Sequence, residues 1–209
     1  MKKLVFLSVL VSAILLMSGC SNPASDSGSG SGGSSENIKT QDNLKDVLDK
    51  DEDLSGTWEL TEAYFLLYNS ENGKPDADNF ESSNIDEILN HTDKDGHTIG
   101  FPKVVTLTKE SANAVLRELI SNFEETSKKR KKDFDEMDQS LAMAQLFGLR
   151  VTKNNKKSDN YVKINKNRTV VTLYDYVEME LAISGSFMGE NVDEEAIGKG
   201  EMRFVYTKK

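Results

Sequence analysis

Two periods of hydrophobic positions organise the chain. Ala112, Val115, Leu116, Leu119, Ile120 and Phe123 recur at the three- and four-residue spacing of a helix face, and Phe134, Met137, Leu141, Ala144 and Phe147 resume that stripe. Val177, Met179, Leu181, Ile183, Gly185 and Phe187 alternate with Glu178, Glu180, Ala182, Ser184 and Ser186, the period of a half-buried antiparallel strand. Met202, Phe204 and Tyr206 predict a partner strand over residues 200–207, with Arg203 and Val205 on its other face. Strands are also expected at Tyr161 to Ile164 and Thr169 to Tyr174, around the turn-like Asn165-Lys166-Asn167, and at Val104 to Thr108.

Upstream, Leu44, Val47 and Leu48 predict a short helix over residues 41–50. Gly56-Thr57-Trp58 then opens a strand running through Tyr64 to Tyr68, apolar on both phases and hence expected to be covered on both faces; Asn72-Gly73 is a turn signal. Residues 75–98 read as polar and irregular, with one helical patch at Ile85, Ile88 and Leu89. Thr108 is the expected cap of the long helical segment and Gly148 its stop. A break is expected near residues 126–132, where the stripe lapses into Lys128-Lys129-Arg130-Lys131-Lys132, because an unbroken rod would overhang a compact domain about 40 Å across.

Strands, then helices, then strands predict a mainly β, α+β domain over residues 38–209: an antiparallel, half-open or lipocalin-like barrel with a helical insertion at about 109–148. The alternative is an open antiparallel sheet packed on two helices. The start of the chain is different in kind. Lys2 and Lys3 precede an apolar stretch too short to span a bilayer, the layout of a signal peptide over residues 1–19. Residues 21–36 are mostly Ser and Gly, a flexible leash with a reach on the order of 20–25 Å.

Between the two lies Cys20, the single cysteine. The run Met17-Ser18-Gly19-Cys20 resembles the lipobox of bacterial lipoproteins, with Met17 where that family most often has Leu. The resemblance implies that the Cys20 thiol is acylated, that the signal is removed before it, and that residues 20–37 form a lipidated tether. Ser21, in place of the Asp that retains such proteins at an inner membrane, implies a periplasm-facing or surface location, the outer membrane where one exists.

Residues 1–19 hold two of the 26 Lys+Arg and none of the 35 Asp+Glu, so the remainder carries 24 against 35, a net charge of −11. That disfavours bulk nucleic-acid binding, which depends on neutralising phosphates. One cysteine permits no intramolecular disulfide, leaving stability to a hydrophobic core.

Gly56-Thr57-Trp58 resembles the G-x-W signature of lipocalins and their bacterial relatives. The resemblance implies that Trp58 closes one end of a barrel, that Arg203 from the last strand stacks on it, and that Tyr64, Met179, Leu181 and Phe204 line a cavity for a small apolar ligand. On residue type alone, these side chains equally suit a filled core. His91, Asp93, Asp95 and His97 alternate, and in an extended conformation would offer two imidazoles and two carboxylates to Zn²⁺; Asp95-Gly96 equally makes a polar turn. The KKRKK run is a docking site for a polyanion or a helix face paired with its flanking acids. No phosphate-binding Gly-rich loop or nucleophile elbow is present, and no enzyme is expected. The functions in view are thus a lipid-anchored binder of an apolar ligand or structural envelope component, an interaction module contacting an envelope protein through its helical insertion, and a metal-capture lipoprotein.

Overall fold

The computed structural model describes residues 41–92 and 98–209, with the side chains of all but residues 129–130 and 132–140. The elements in order are β1 (Gln41–Asn43), α1 (Leu44–Leu48), β2 (Gly56–Glu71), β3 (Lys74–Pro75), β4 (Phe80–Ser82), α2 (Ile85–Asn90), β5 (Val104–Leu107), α3 (Ala112–Leu146), β6 (Arg150–Asn165), β7 (Val170–Phe187) and β8 (Glu190–Lys208). The strands form one antiparallel sheet in the order β1-β6-β7-β8-β2, and β5, β4 and β3 pair successively along the other edge of β2. The sheet is open. The half-open or lipocalin-like barrel is therefore corrected, and the arrangement is that of the alternative, an open antiparallel sheet with helices.

The three helices among the described residues lie on one face. There Trp58, Leu60, Ala63 and Phe65 of β2, Met202, Phe204 and Tyr206 of β8, Val171 and Leu173 of β7, and Val162 and Ile164 of β6 meet Leu44, Val47 and Leu48 of α1, Ile88 of α2, and Leu116, Leu119, Ile120 and Phe123 of α3. A second, smaller cluster joins Leu141 of α3 to Val177, Met179 and Leu181 of β7. The period-2 positions of β7 and β8 thus point as the alternation requires.

The expected break in the helix is absent: α3 runs unbroken over 35 residues. At 1.5 Å per residue it is about 52 Å long, and β7, with 18 residues at about 3.3 Å, is about 60 Å long. The rod does not overhang because the sheet is as long as the rod. Where the apolar stripe lapses, the sheet beneath lapses too. Asp175 lies between the two clusters, fully buried, and accepts from Asn160 Nδ2 at 3.0 Å, with Lys131 Nζ 3.5 Å away and Asn160 also reaching Ser127 Oγ at 3.3 Å. The lapse marks a polar seam between helix and sheet.

The ends of α3 follow from local chemistry. Its N-cap is Ser111; Thr108, the expected cap, stands one turn earlier, where its carbonyl accepts from Ala112 N at 2.9 Å and its hydroxyl from Ser111 N at 3.2 Å. At the other end Gly148 (φ +84) donates to Gln145 O and Leu149 to Ala144 O, the paired bonds of a Schellman cap. Two hairpin turns have both central residues at positive φ: Asn72-Gly73 and Met188-Gly189. Two strands exceed their expected length, and one appears where the start of a helix is expected. β6 takes in Arg150–Asn160, β8 begins ten residues before Gly200, and Gln41–Asn43 pairs with Lys163–Asn165 as a strand before α1 begins.

A polar sheet face, a packed interior and an apolar tip

The sheet has two ends. At one end the chain enters at Gln41, beside the β6–β7 turn, and leaves at Lys209, whose amide donates to Thr57 O at 2.9 Å. At the other end are the β7–β8 hairpin and the C-terminus of α3.

Trp58 sits at the entry end, 1 % exposed, its Nε1 donating to Leu54 O at 3.0 Å. The cation near its ring is Lys208, with Nζ 6.0 Å from the centroid, not Arg203. Register explains the correction. Trp58 pairs with Lys208, whereas Arg203 pairs with Tyr64 and Tyr174. Five residues along a strand are about 17 Å, and an odd offset reverses the face. Gly56 (φ +133) admits the lysine: a Cβ there would stand 2.6 Å from Lys208 Cε.

The four cavity candidates do not line one space. Met179 and Phe204 are fully buried and Leu181 nearly so, Phe204 in the larger cluster and the other two in the smaller. Phe204 is stacked on Phe101 at 4.6 Å, and Phe101 meets Phe123 edge-on at 6.3 Å. Tyr64 is on the opposite face of the sheet, half-buried, its hydroxyl donating to Glu81 Oε1 at 2.8 Å. Burial, then Glu81, pushes that phenol up to about 12.

Among the described residues that second face bears no helix, so the two-sided cover expected for β2 is also corrected. It carries a cross-strand row, Tyr161, Tyr174, Arg203 and Tyr64, running from β6 to β2. The Tyr161 and Tyr174 rings stack on each other at 4.9 Å, and Lys163 Nζ lies 4.4 Å from the Tyr161 centroid. The rings cover one another, as cross-strand pairs do. Beside them Glu178 binds Lys199 at 2.8 Å, accepts from Tyr176 Oη at 2.9 Å and binds Lys157 at 3.1 Å. Lys199, then Tyr176 and Lys157, hold its carboxyl down at about 2. These contacts tie the strands together on a face that no other described element covers.

His91 stacks on Phe80 at 3.8 Å and lies 6.2 Å from Phe65. Asp93, Asp95 and His97 lie outside the described residues, as does Cys20; among the described residues no group of three His, Cys, Asp or Glu could hold a metal ion. Of the basic run, Lys131 reaches the buried Asp175 and Lys128 is exposed.

At the far end, Phe147 meets Phe187 edge-on at 5.3 Å, and Leu149 packs so closely on Gly185 that a Cβ there would stand 3.0 Å from its Cδ2. Beside this pair Met188 is 87 % exposed, Leu146 78 % and Phe147 48 %; the remaining large apolar side chain exposed among the described residues is Val104. Sequence periodicity counted Phe147 as core. The missed signal is the pair of large apolar residues placed immediately before or within turns, at Phe147-Gly148 and Met188-Gly189.

Compared with protein-family models, with characterised proteins and with solved structures, the chain matches none.

Proposed function

We propose that this chain is a cell-envelope lipoprotein, anchored through an acylated Cys20 and a Ser/Gly leash, whose folded part is a non-catalytic interaction module. The observation that carries the choice of module over carrier is the packing of Met179, Leu181 and Phe204 beneath the helices: residues available to line a cavity are used as core. What stays accessible is external surface, on a sheet long enough to hold its far end about 60 Å from where the leash joins. An anchored molecule of that length suits contact with another envelope component. Anchoring is tested by feeding a labelled fatty acid to a bacterial host. The wild-type chain takes up label and sediments with membranes, and Cys20→Ala does neither; an unlabelled wild type overturns the reading.

A lipocalin-like apolar-ligand binder is the second reading, favoured by one observation. Trp58 opens the first long strand beneath a cation from the last, with Lys208 in the role expected of Arg203.

A further inference from the structure

We propose that the tip formed by Leu146, Phe147, Phe187 and Met188 docks a partner polypeptide whose contact surface is apolar at its centre and basic at its rim. The inference deepens the interaction-module reading and rests on it for the tip's position away from the membrane.

The first ground is that Leu146, Phe147 and Met188 are exposed where the fold does not require them, around a half-buried Phe187. Met188 occupies a turn position at φ +51. At the equivalent position of the β2–β3 turn the chain uses Asn72, φ +49, before Gly73. Asn tolerates that conformation and a polar tip suits water, so methionine there is unfavourable both for the turn and for hydration. Leu146 likewise gains nothing from burial. An interaction made elsewhere accounts for both.

The second ground is that the tip is preorganised. The Schellman cap fixes the end of α3, the Phe147–Phe187 contact joins it to the hairpin, and Leu149 against Gly185 sets their separation. Little ordering entropy remains to be lost on binding.

The third ground is charge. Glu190, Asp193 and Glu195 are exposed on the first part of β8, while the exposed cations at the same level of β6 are Arg150 and Lys153, the latter bound to Glu180, so acids outnumber bases beside the tip; the chain as a whole has a net charge of −9. An anionic lipid surface would be repelled by that collar, and a second copy docking tip to tip would set two such collars against each other. A polypeptide with Lys or Arg around an apolar pocket is complementary to both features. Four side chains are small beside a stable interface of about 800 Å² per partner, so they act as the anchor of the contact and the collar as its rim.

The test uses the full-length protein in its native host, with a photo-crosslinking amino acid placed at Met188 or, as control, at exposed Lys109 near the entry end. Position 188 is expected to give one dominant polypeptide adduct, mapping to apolar residues bordered by Lys or Arg and absent from position 109. Leu146→Asp, at an exposed site that leaves the melting temperature unchanged, should lower that adduct at least tenfold. Adducts to lipid, to a second copy, or equally from both positions would overturn the proposal, as would an adduct insensitive to Leu146→Asp. Fatty-acid labelling of the same cells separates the two readings: acylation without a polypeptide adduct rejects the tip alone, and an adduct without acylation rejects the anchor alone.

Discussion

Arg168 holds Glu52 by two parallel hydrogen bonds, Nε to Oε2 at 2.5 Å and Nη2 to Oε1 at 3.0 Å, and turns Nη1 to Asp42 at 2.7 Å. One guanidinium thereby ties the β6–β7 turn to β1 and to the loop before β2. Arg168 holds the Glu52 carboxyl below its ordinary value, and Lys166, then Arg168, do the same for Asp42. A depressed carboxylate stabilises the folded state above its unfolded pKa, and that contribution is lost as pH falls through the folded value. Arg168→Ala should therefore lower the melting temperature at neutral pH, with the gap from wild type closing below about pH 4. Arg168→Lys should restore little, since an ammonium cannot make the paired contact. A gap independent of pH would contradict the ion-pair account.

Glu178 gives a second acid-dependent contribution. With its carboxyl at about 2 against an ordinary 4.5, its stabilisation is complete above about pH 5 and disappears towards pH 2. Glu178→Gln should cost about 2 kcal/mol at pH 7, by chemical denaturation, and much less at pH 3. An equal cost at both pH values would show that the charge is not what matters.

For Trp58, truncation to Ala should cost about 3–5 kcal/mol, as for a buried large aromatic. A double-mutant cycle with Lys208→Ala should give a coupling of about 0.5 kcal/mol, and one with Arg203→Ala none. Gly56→Ala should also destabilise, because its Cβ would meet Lys208 and its φ would be strained. Coupling to Arg203 rather than Lys208 would contradict the register.

Delipidated protein should show no saturable uptake of a fluorescent fatty acid, because the cavity candidates are packed as core. A single saturable site that raises thermal stability with probe concentration would revive the carrier reading.

Much of the fold was legible where one face is buried. The alternation in β7 and the end of β8, the stripe from Ala112 to Phe123, and the stops at Asn72-Gly73 and Gly148 all appear as expected. Arg150–Asn160 was not legible, because most of it is an exposed edge with no apolar phase to reveal its period. Its lysines are what keep such an edge from pairing with other chains. The expected helix break rests on a polar interruption whose partner, Asp175, lies forty-four residues beyond Lys131 and cannot be matched without the register. The cation for Trp58 failed for the same reason: alternation tells which face a residue takes, not which residue it meets.

The position of Trp58 also determines what light can report about this molecule. It is the chain's one tryptophan, and it is buried at the entry end of a sheet about 60 Å long. Its emission will follow solvent reaching the larger cluster and will be blind to the smaller cluster around Leu141. A fluorescence melt compared with far-ultraviolet dichroism would thus resolve the two halves: coincident curves mean that the polar seam transmits unfolding, and a dichroic change that precedes the red shift means that the distal half opens alone.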